Sequence, residues 1–328
     1  EFASRIIDIV RNEGDAGLVR INTALDGSSP LTFEVPQSEI DTAFNNLDPA
    51  SIKALELAAD RVQKFQSNGL PKSWTNGAGT FGERVTALDS VAAYVPAGTA
   101  PLASTVIMTV VPAKVAGVEE IIVVTPAPAD LMPHPAVLAA AKIAGASRIF
   151  KLGGAQAIAA MAYGTETIPS VDLICGPGSA WVTAAKKLVF GDVGIDGLYG
   201  PTETLVIADD SADPRFTASD LIAQAEHDTV AMPILVGVSN EIIEKTEAEI
   251  ERQLEDLPRE SIAREAFINR GVAVVVDNTI EAIAVANAAA PEHLCILTED
   301  ANDLVDKVKS AGGLFVGEWS AEVMADYV

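Results

Sequence analysis

Residues 203–236 read ETLVIADDSADPRFTASDLIAQAEHDTVAMPILV. Glu203-Thr-Leu-Val-Ile207 is a short apolar run rich in strand-forming residues, and Pro233-Ile-Leu-Val236 is another. Asp213 to His227, between them, has the length and apolar pattern of a helix. Strand, helix, strand in that order is a βαβ unit, and a crossover through a helix leaves its two strands parallel.

The same alternation extends in both directions from this stretch. Val91-Ala-Ala-Tyr-Val95, Ile121-Ile-Val-Val124, Ile149-Phe-Lys-Leu152 and Val171-Asp-Leu-Ile-Cys175 precede it. Gly271-Val-Ala-Val-Val-Val276, Leu294-Cys-Ile-Leu297 and Gly313-Leu-Phe-Val316 follow it, with a helix-like segment from Asn240 to Leu257. The first 70 residues instead read as helices only, around Phe2–Glu13, Gln37–Asn46 and Pro49–Asn68. Asp48 suits an N-cap and Pro49 the first helical position. Trp74 to Phe81, rich in Gly and Asn, reads as a loop. The expected class is α/β: two Rossmann-like parallel-sheet units behind a helical lead-in.

Composition narrows the function. A chain of 328 residues, 49% of them apolar, can bury about two domain cores. No apolar run reaches the roughly 18 residues a membrane helix needs. Two cysteines, Cys175 and Cys295, make neither a disulfide framework nor a Cys-rich metal site, and fit a reducing, cytoplasmic setting. A formal charge of −24 argues against nucleic acid or an anionic membrane as partner, because phosphate binding needs clustered Lys and Arg. The chain opens at Glu1 without a methionine and stops at Val328 without an evident end signal, so trimming at both ends is expected.

Three histidines are present. His134, between two prolines at a helix start, reads as exposed and structural. His227 and Gln224 stand three apart on one helix face, so both can offer a lone pair to one point. The alternative is a histidine at a helix C-terminus bonded to the last carbonyls. Pro291-Glu292-His293-Leu294 places a carboxylate beside an imidazole at a tight connection into a strand. That pair is either two proton acceptors of different pKa or a loop ion pair. Gly-rich turns follow several apolar runs, among them Gly153-Gly154 and Gly176-Pro-Gly178, and such turns admit a phosphate to helix-start amides. None is a G-x-G-x-x-G fingerprint. Cys175 is either a nucleophile or a small buried apolar group, and its place at the end of a buried run favours the second.

In sum, the ordered segments resemble the histidinol dehydrogenase family. They include Tyr94-Val-Pro-Ala-Gly-Thr-Ala-Pro, Ser104-Thr-Val-Ile-Met108, Pro112-Ala-Lys-Val-Ala-Gly-Val118, Gly153-Gly-Ala-Gln-Ala-Ile158 and Tyr163-Gly-Thr-Glu-Thr-Ile-Pro169. They continue with Gly176-Pro-Gly178, Gly194-Ile-Asp196, Gly200-Pro-Thr-Glu203, Asp220 to Asp228, Ala290-Pro-Glu-His-Leu294, Gly313-Leu-Phe-Val-Gly317 and Asp326-Tyr327. The resemblance implies a homodimeric enzyme using NAD and one zinc per subunit. It implies four-electron oxidation of L-histidinol to L-histidine through histidinaldehyde, the last step of histidine biosynthesis.

By position, the resemblance makes Gln224, His227 and Asp326 zinc ligands, and Glu292 and His293 the catalytic bases. It places Tyr94, Gln156 and Ser179 at NAD. Thr202, Gln224, His227, His293 and Asp326 would contact substrate. It also implies a split domain of residues 1–93 with 204–328, around an inserted NAD-binding domain of 94–203. A C-terminal tail would add a substrate-binding histidine, a glutamate and a zinc-ligating histidine, and would reach the partner subunit. Ser179 and Trp181 stand where the family usually has Asn and Tyr, and Thr202 replaces a serine but keeps its hydroxyl. The competing expectations are a paralogous zinc and NAD enzyme for another alcohol, such as sulfopropanediol, and a non-catalytic homologue.

Overall fold

The computed structural model describes residues 1–97, 101–127 and 132–327, with the side chain of Asp326 excepted. Two compact units divide the chain, with Glu1–Tyr199 in the first and Gly200–Ala325 in the second.

The first unit opens with α1 (Phe2–Asp26), α2 (Gln37–Asn46) and α3 (Pro49–Gly69). Asp48 caps α3 by accepting from the Ser51 amide at 2.9 Å, with Pro49 in the first turn. A short hairpin follows, β1 (Trp74–Thr75) and β2 (Gly82–Glu83), where a plain loop was expected. Then come β3 (Ser90–Tyr94), α4 (Ala103–Val115), β4 (Glu120–Thr125), α5 (Pro135–Ala144) and β5 (Arg148–Lys151). The unit ends with α6 (Gly154–Tyr163), β6 (Leu173–Cys175), α7 (Ala180–Val189) and β7 (Gly194–Ile195). The strands form one parallel sheet in the order β5-β4-β3-β6-β7.

Both faces of this sheet are covered, which explains why its strands read as continuous apolar runs. Ile122 and Val124 face one core cluster, with Ile158 and Val182; Ile121 and Val123 face another, with Ile107 and Leu138. The lead-in helices complete these layers: α1 packs on α6 and α7, α2 on α5, and α3 on α4. The first compact unit thus includes residues 1–93 together with the first sheet. The physical reason is that α1 to α3 bury their apolar faces on helices of the first sheet, where β3 is itself the central strand.

The second unit contains β8 (Glu203–Ala208), α8 (Pro214–Ala225), β9 (Met232–Gly237), α9 (Asn240–Leu254), α10 (Glu260–Arg270) and β10 (Val272–Val275). It continues with α11 (Thr279–Ala289), β11 (His293–Leu297), α12 (Ala301–Leu304), β12 (Gly313–Val316) and a final 3-10 helix, Glu322–Tyr327, which belongs to this unit as far as Ala325. Its parallel sheet has the order β10-β9-β8-β11-β12. Each sheet thus changes direction beside its first strand, between β3 and β6 and between β8 and β11. Local caps set the helix starts: Asp213 accepts from the Arg215 amide ahead of α8, and Asn278 accepts from the Glu281 amide ahead of α11. No helix among the described residues is long and apolar enough to cross a membrane.

Candidate functional site

The first unit carries a cleft of about 830 Å³. Its walls include Ala97, Pro126, Gly153 and Ser179, which follow the carboxyl ends of β3, β4, β5 and β6. Open α/β sheets place ligands at this edge, beside the strand where the order reverses. The turn from β5 into α6 is shaped by glycines: a Cβ on Gly153 would stand 2.6 Å from Pro126, and Gly154 has φ +70°. Gly153 offers no side chain to cap α6. Gln156 is buried in the first turn of α6, lines the cleft, and donates to Asn22 at 3.1 Å. Ser179 lines the cleft at the start of α7 and is exposed. Tyr94 is buried, and its hydroxyl accepts from the Gly154 amide at 3.1 Å. Its placement shapes the turn.

The second unit gathers polar side chains at the amino-terminal ends of β8 and β11, the opposite edge of its sheet. Ala290 ends α11 in the left-handed region, at φ 51°, and turns the chain into Pro291-Glu292-His293. Gly312 and Gly313 hold this turn, their amides donating to Pro291 O at 3.1 Å and Glu292 O at 2.7 Å. Thr202 Oγ1 donates to Glu292 Oε2 at 2.7 Å. Gln224, in the last turn of α8, is buried with its amide between Thr202 and Glu322. The Glu322 carboxylate lies 2.8 Å from one amide atom, an approach only the nitrogen makes favourably, so the amide oxygen faces Thr202 Oγ1. Thr204 Oγ1 donates to Glu322 Oε2 at 2.9 Å. His293 Nδ1 lies 3.3 Å from the same Gln224 amide and 3.5 Å from Glu322 Oε1. Thr204 and Glu322 were not anticipated from the sequence, since neither belongs to a local spacing pattern.

Beneath this cluster, burial raises the Asp220 carboxyl to about 6, although the Cys295 thiol and the Glu322 amide both donate to it.

A family model described as histidinol dehydrogenase matches residues 1–328. The chain belongs to the histidinol dehydrogenase family. The histidinol dehydrogenase of Thermus thermophilus is 48% identical over 330 residues, covering 100% of this chain and 78% of that protein. That of Deinococcus radiodurans is 48% identical over 334 residues, covering 100% and 76%. The crystal structure of histidinol dehydrogenase from Elizabethkingia anophelis superposes with a TM-score of 0.95 at 36% identity, covering 100% of this chain and 76% of that one. An acetylating aldehyde dehydrogenase from Geobacillus thermoglucosidasius shares the fold, with a TM-score of 0.53 at 16% identity.

Within this member of the histidinol dehydrogenase family, Thr202, Gln224, Glu292 and His293 come together as one bonded group. His227 does not join them through any described side-chain contact. It lies just past α8, exposed, with its carbonyl accepting from Arg259 at 3.3 Å. The side chain of Asp326 lies outside the described residues. Among the described residues, no three His, Cys, Asp or Glu side chains converge as a metal shell.

His134 caps α5, its Nδ1 accepting from the Ala136 amide at 3.2 Å, which agrees with a structural role. Cys175 donates to Ala92 O, and burial pushes its thiol up to about 12. It is therefore a poor nucleophile near neutral pH.

Proposed function

We propose that the protein oxidises L-histidinol to L-histidine through histidinaldehyde, using NAD in two hydride transfers. The observation that carries this reading is the adjacency of Glu292 and His293, bonded into one polar group with Thr202 and Gln224. NAD, when bound, supplies the hydride acceptor, and the protein supplies binding, orientation and bases. The cleft of the first unit, lined by Gln156 and Ser179, is the place for it.

His293 takes the proton of the substrate hydroxyl as hydride leaves the carbinol carbon. Glu292 then takes a proton from water as that water adds to the aldehyde carbon. The hydrated aldehyde loses a second hydride and becomes the carboxylate. Overall, the alcohol, water and two NAD give the carboxylate, two NADH and three protons. A positioned base contributes roughly 10²- to 10⁴-fold to such a step. The hydrogen bond that Thr202 donates keeps the Glu292 carboxylate in place between turnovers.

The same reading places the enzyme in the cytoplasm as a homodimer, with site residues shared between subunits; both rest on the family resemblance. Zinc held by Gln224, His227 and Asp326 is a separate claim, and metal content per chain in the wild type and in His227→Ala tests it. The catalytic reading is tested by NADH formation from L-histidinol and NAD. Steady NADH production supports it, and none from the metal-replete protein overturns it.

A further inference from the structure

The cleft of the first unit is lined by a cation that has no partner among the described residues. Lys151 ends β5, is only 9% exposed, and lines the cleft. Among the described residues, no hydrogen bond, ion pair or ring contact engages its ammonium group, although its backbone amide donates to Phe33 O at 2.7 Å. Nearly all other cationic side chains this buried are paired, because a desolvated ammonium is costly. Lys186 shows the contrast within the same unit: it is 2% exposed, but it donates to Gly176 O at 3.0 Å and pairs with Asp196.

Lys151 is also placed next to a helix start. Two residues further on, Gly153 leaves α6 without a side-chain cap, and among the described residues Tyr94 takes the Gly154 amide alone of the first turn. The amides of Ala155 and Gln156 have no partner inside the helix. A helix N-terminus and a buried lysine that line one cleft form complementary halves of an anion site. Asp26 also lines the cleft, but its side chain is exposed and water screens it.

We propose that Lys151 and the first turn of α6 form a phosphate subsite that holds a phosphate of the dinucleotide. This rests on the cofactor reading above and assigns Lys151 a binding role. Lys151→Met removes the charge at similar length, and Lys151→Arg keeps it. Titration calorimetry with NAD, NADP, ADP-ribose and adenosine separates the contributions, with melting temperatures recorded for each variant.

Lys151→Met is expected to weaken ADP-ribose and NAD about ten- to hundredfold, as for loss of a charge-assisted hydrogen bond. Adenosine should bind as before, and Lys151→Arg should stay within a few-fold of wild type. A loss confined to NADP would support the same subsite with the 2′-phosphate as its occupant, in place of the diphosphate. Unchanged binding of all phosphate-bearing ligands by a folded Lys151→Met overturns the proposal and leaves the cofactor reading standing. Equal loss of adenosine also overturns it, since the defect is then not one of phosphate. Failure of wild type to bind any dinucleotide overturns the cofactor reading and the subsite with it.

Discussion

Glu322 Oε1 lies 3.5 Å from His293 Nδ1, and Glu322 itself is 7% exposed. A buried carboxylate beside an imidazole stabilises the imidazolium that forms when the ring accepts a proton. The same carboxylate accepts from Thr204 and from the Gln224 amide nitrogen. It therefore fixes the ring and the amide together.

Glu322→Gln is expected to lower kcat for histidinol oxidation by about ten- to hundredfold with a smaller change in KM, since it weakens a base without removing it. A residue of purely structural importance would lower the melting temperature and leave kcat per folded molecule unchanged. Steady-state kinetics beside a thermal melt distinguish the two.

The two bases have separable duties. Glu292→Gln is expected to slow histidinaldehyde oxidation by at least about 10²-fold while the alcohol step is spared, so that aldehyde accumulates. His293→Ala should slow the alcohol step by a similar factor and spare added aldehyde more. Rates measured with each substrate, and aldehyde trapping, check both.

The turn that presents these bases is strained on one side and tight on the other. Ala290 has φ 51°, a conformation that costs an L-residue about 1 kcal/mol. Ala290→Gly should relieve part of that cost and raise the urea midpoint slightly. Gly312→Ala should do the reverse, because its Cβ would stand 2.6 Å from Glu292 O. Activity should fall with it, as the shift reaches the catalytic pair. Urea titrations of both variants test the pair of signs.

Burial raises the Cys175 thiol to about 12, so the protonated form dominates throughout pH 7 to 9. Raising pH within that range should bring little alkylation by iodoacetamide at Cys175, and Cys175→Ala should retain activity. Rapid labelling at pH 7 would contradict the burial of this thiol.

Much of the fold was legible because the physics behind it is local. Ile121–Val124 reads as a strand from its unbroken apolar run, and the run is unbroken because both sheet faces are covered. Asp48-Pro49 announces the start of α3. Strand β7 was not legible: Gly194–Ile195 is held by pairing with Leu173–Ile174, a partner distant in sequence. Helix α1 was expected only around Phe2–Glu13; the chain breaks at Gly14, with φ 55° and ψ −136°, and then resumes the helix to bury Leu18 and Ile21. The Trp74–Phe81 loop is a hairpin tip closed by Asn76, whose Oδ1 accepts from the Thr80 amide at 2.8 Å.

The site divides in the same way. Glu292-His293 and Gln224 were visible as neighbours or helical spacings. Glu322 and Thr204 reach them only through the tertiary fold. Lys151 was hidden inside an apolar run, where a lysine looks like an interruption and its burial cannot be seen.

The central claim is that one active site performs both oxidations with Glu292 and His293 as its bases. The direct measurement is the ratio of NADH formed to histidinol consumed by the metal-replete enzyme, with histidine assayed as product. The account predicts two NADH and one histidine per histidinol, falling toward one NADH with released aldehyde in Glu292→Gln. One NADH per histidinol in the wild type, or an unchanged ratio and rate in Glu292→Gln, would contradict it.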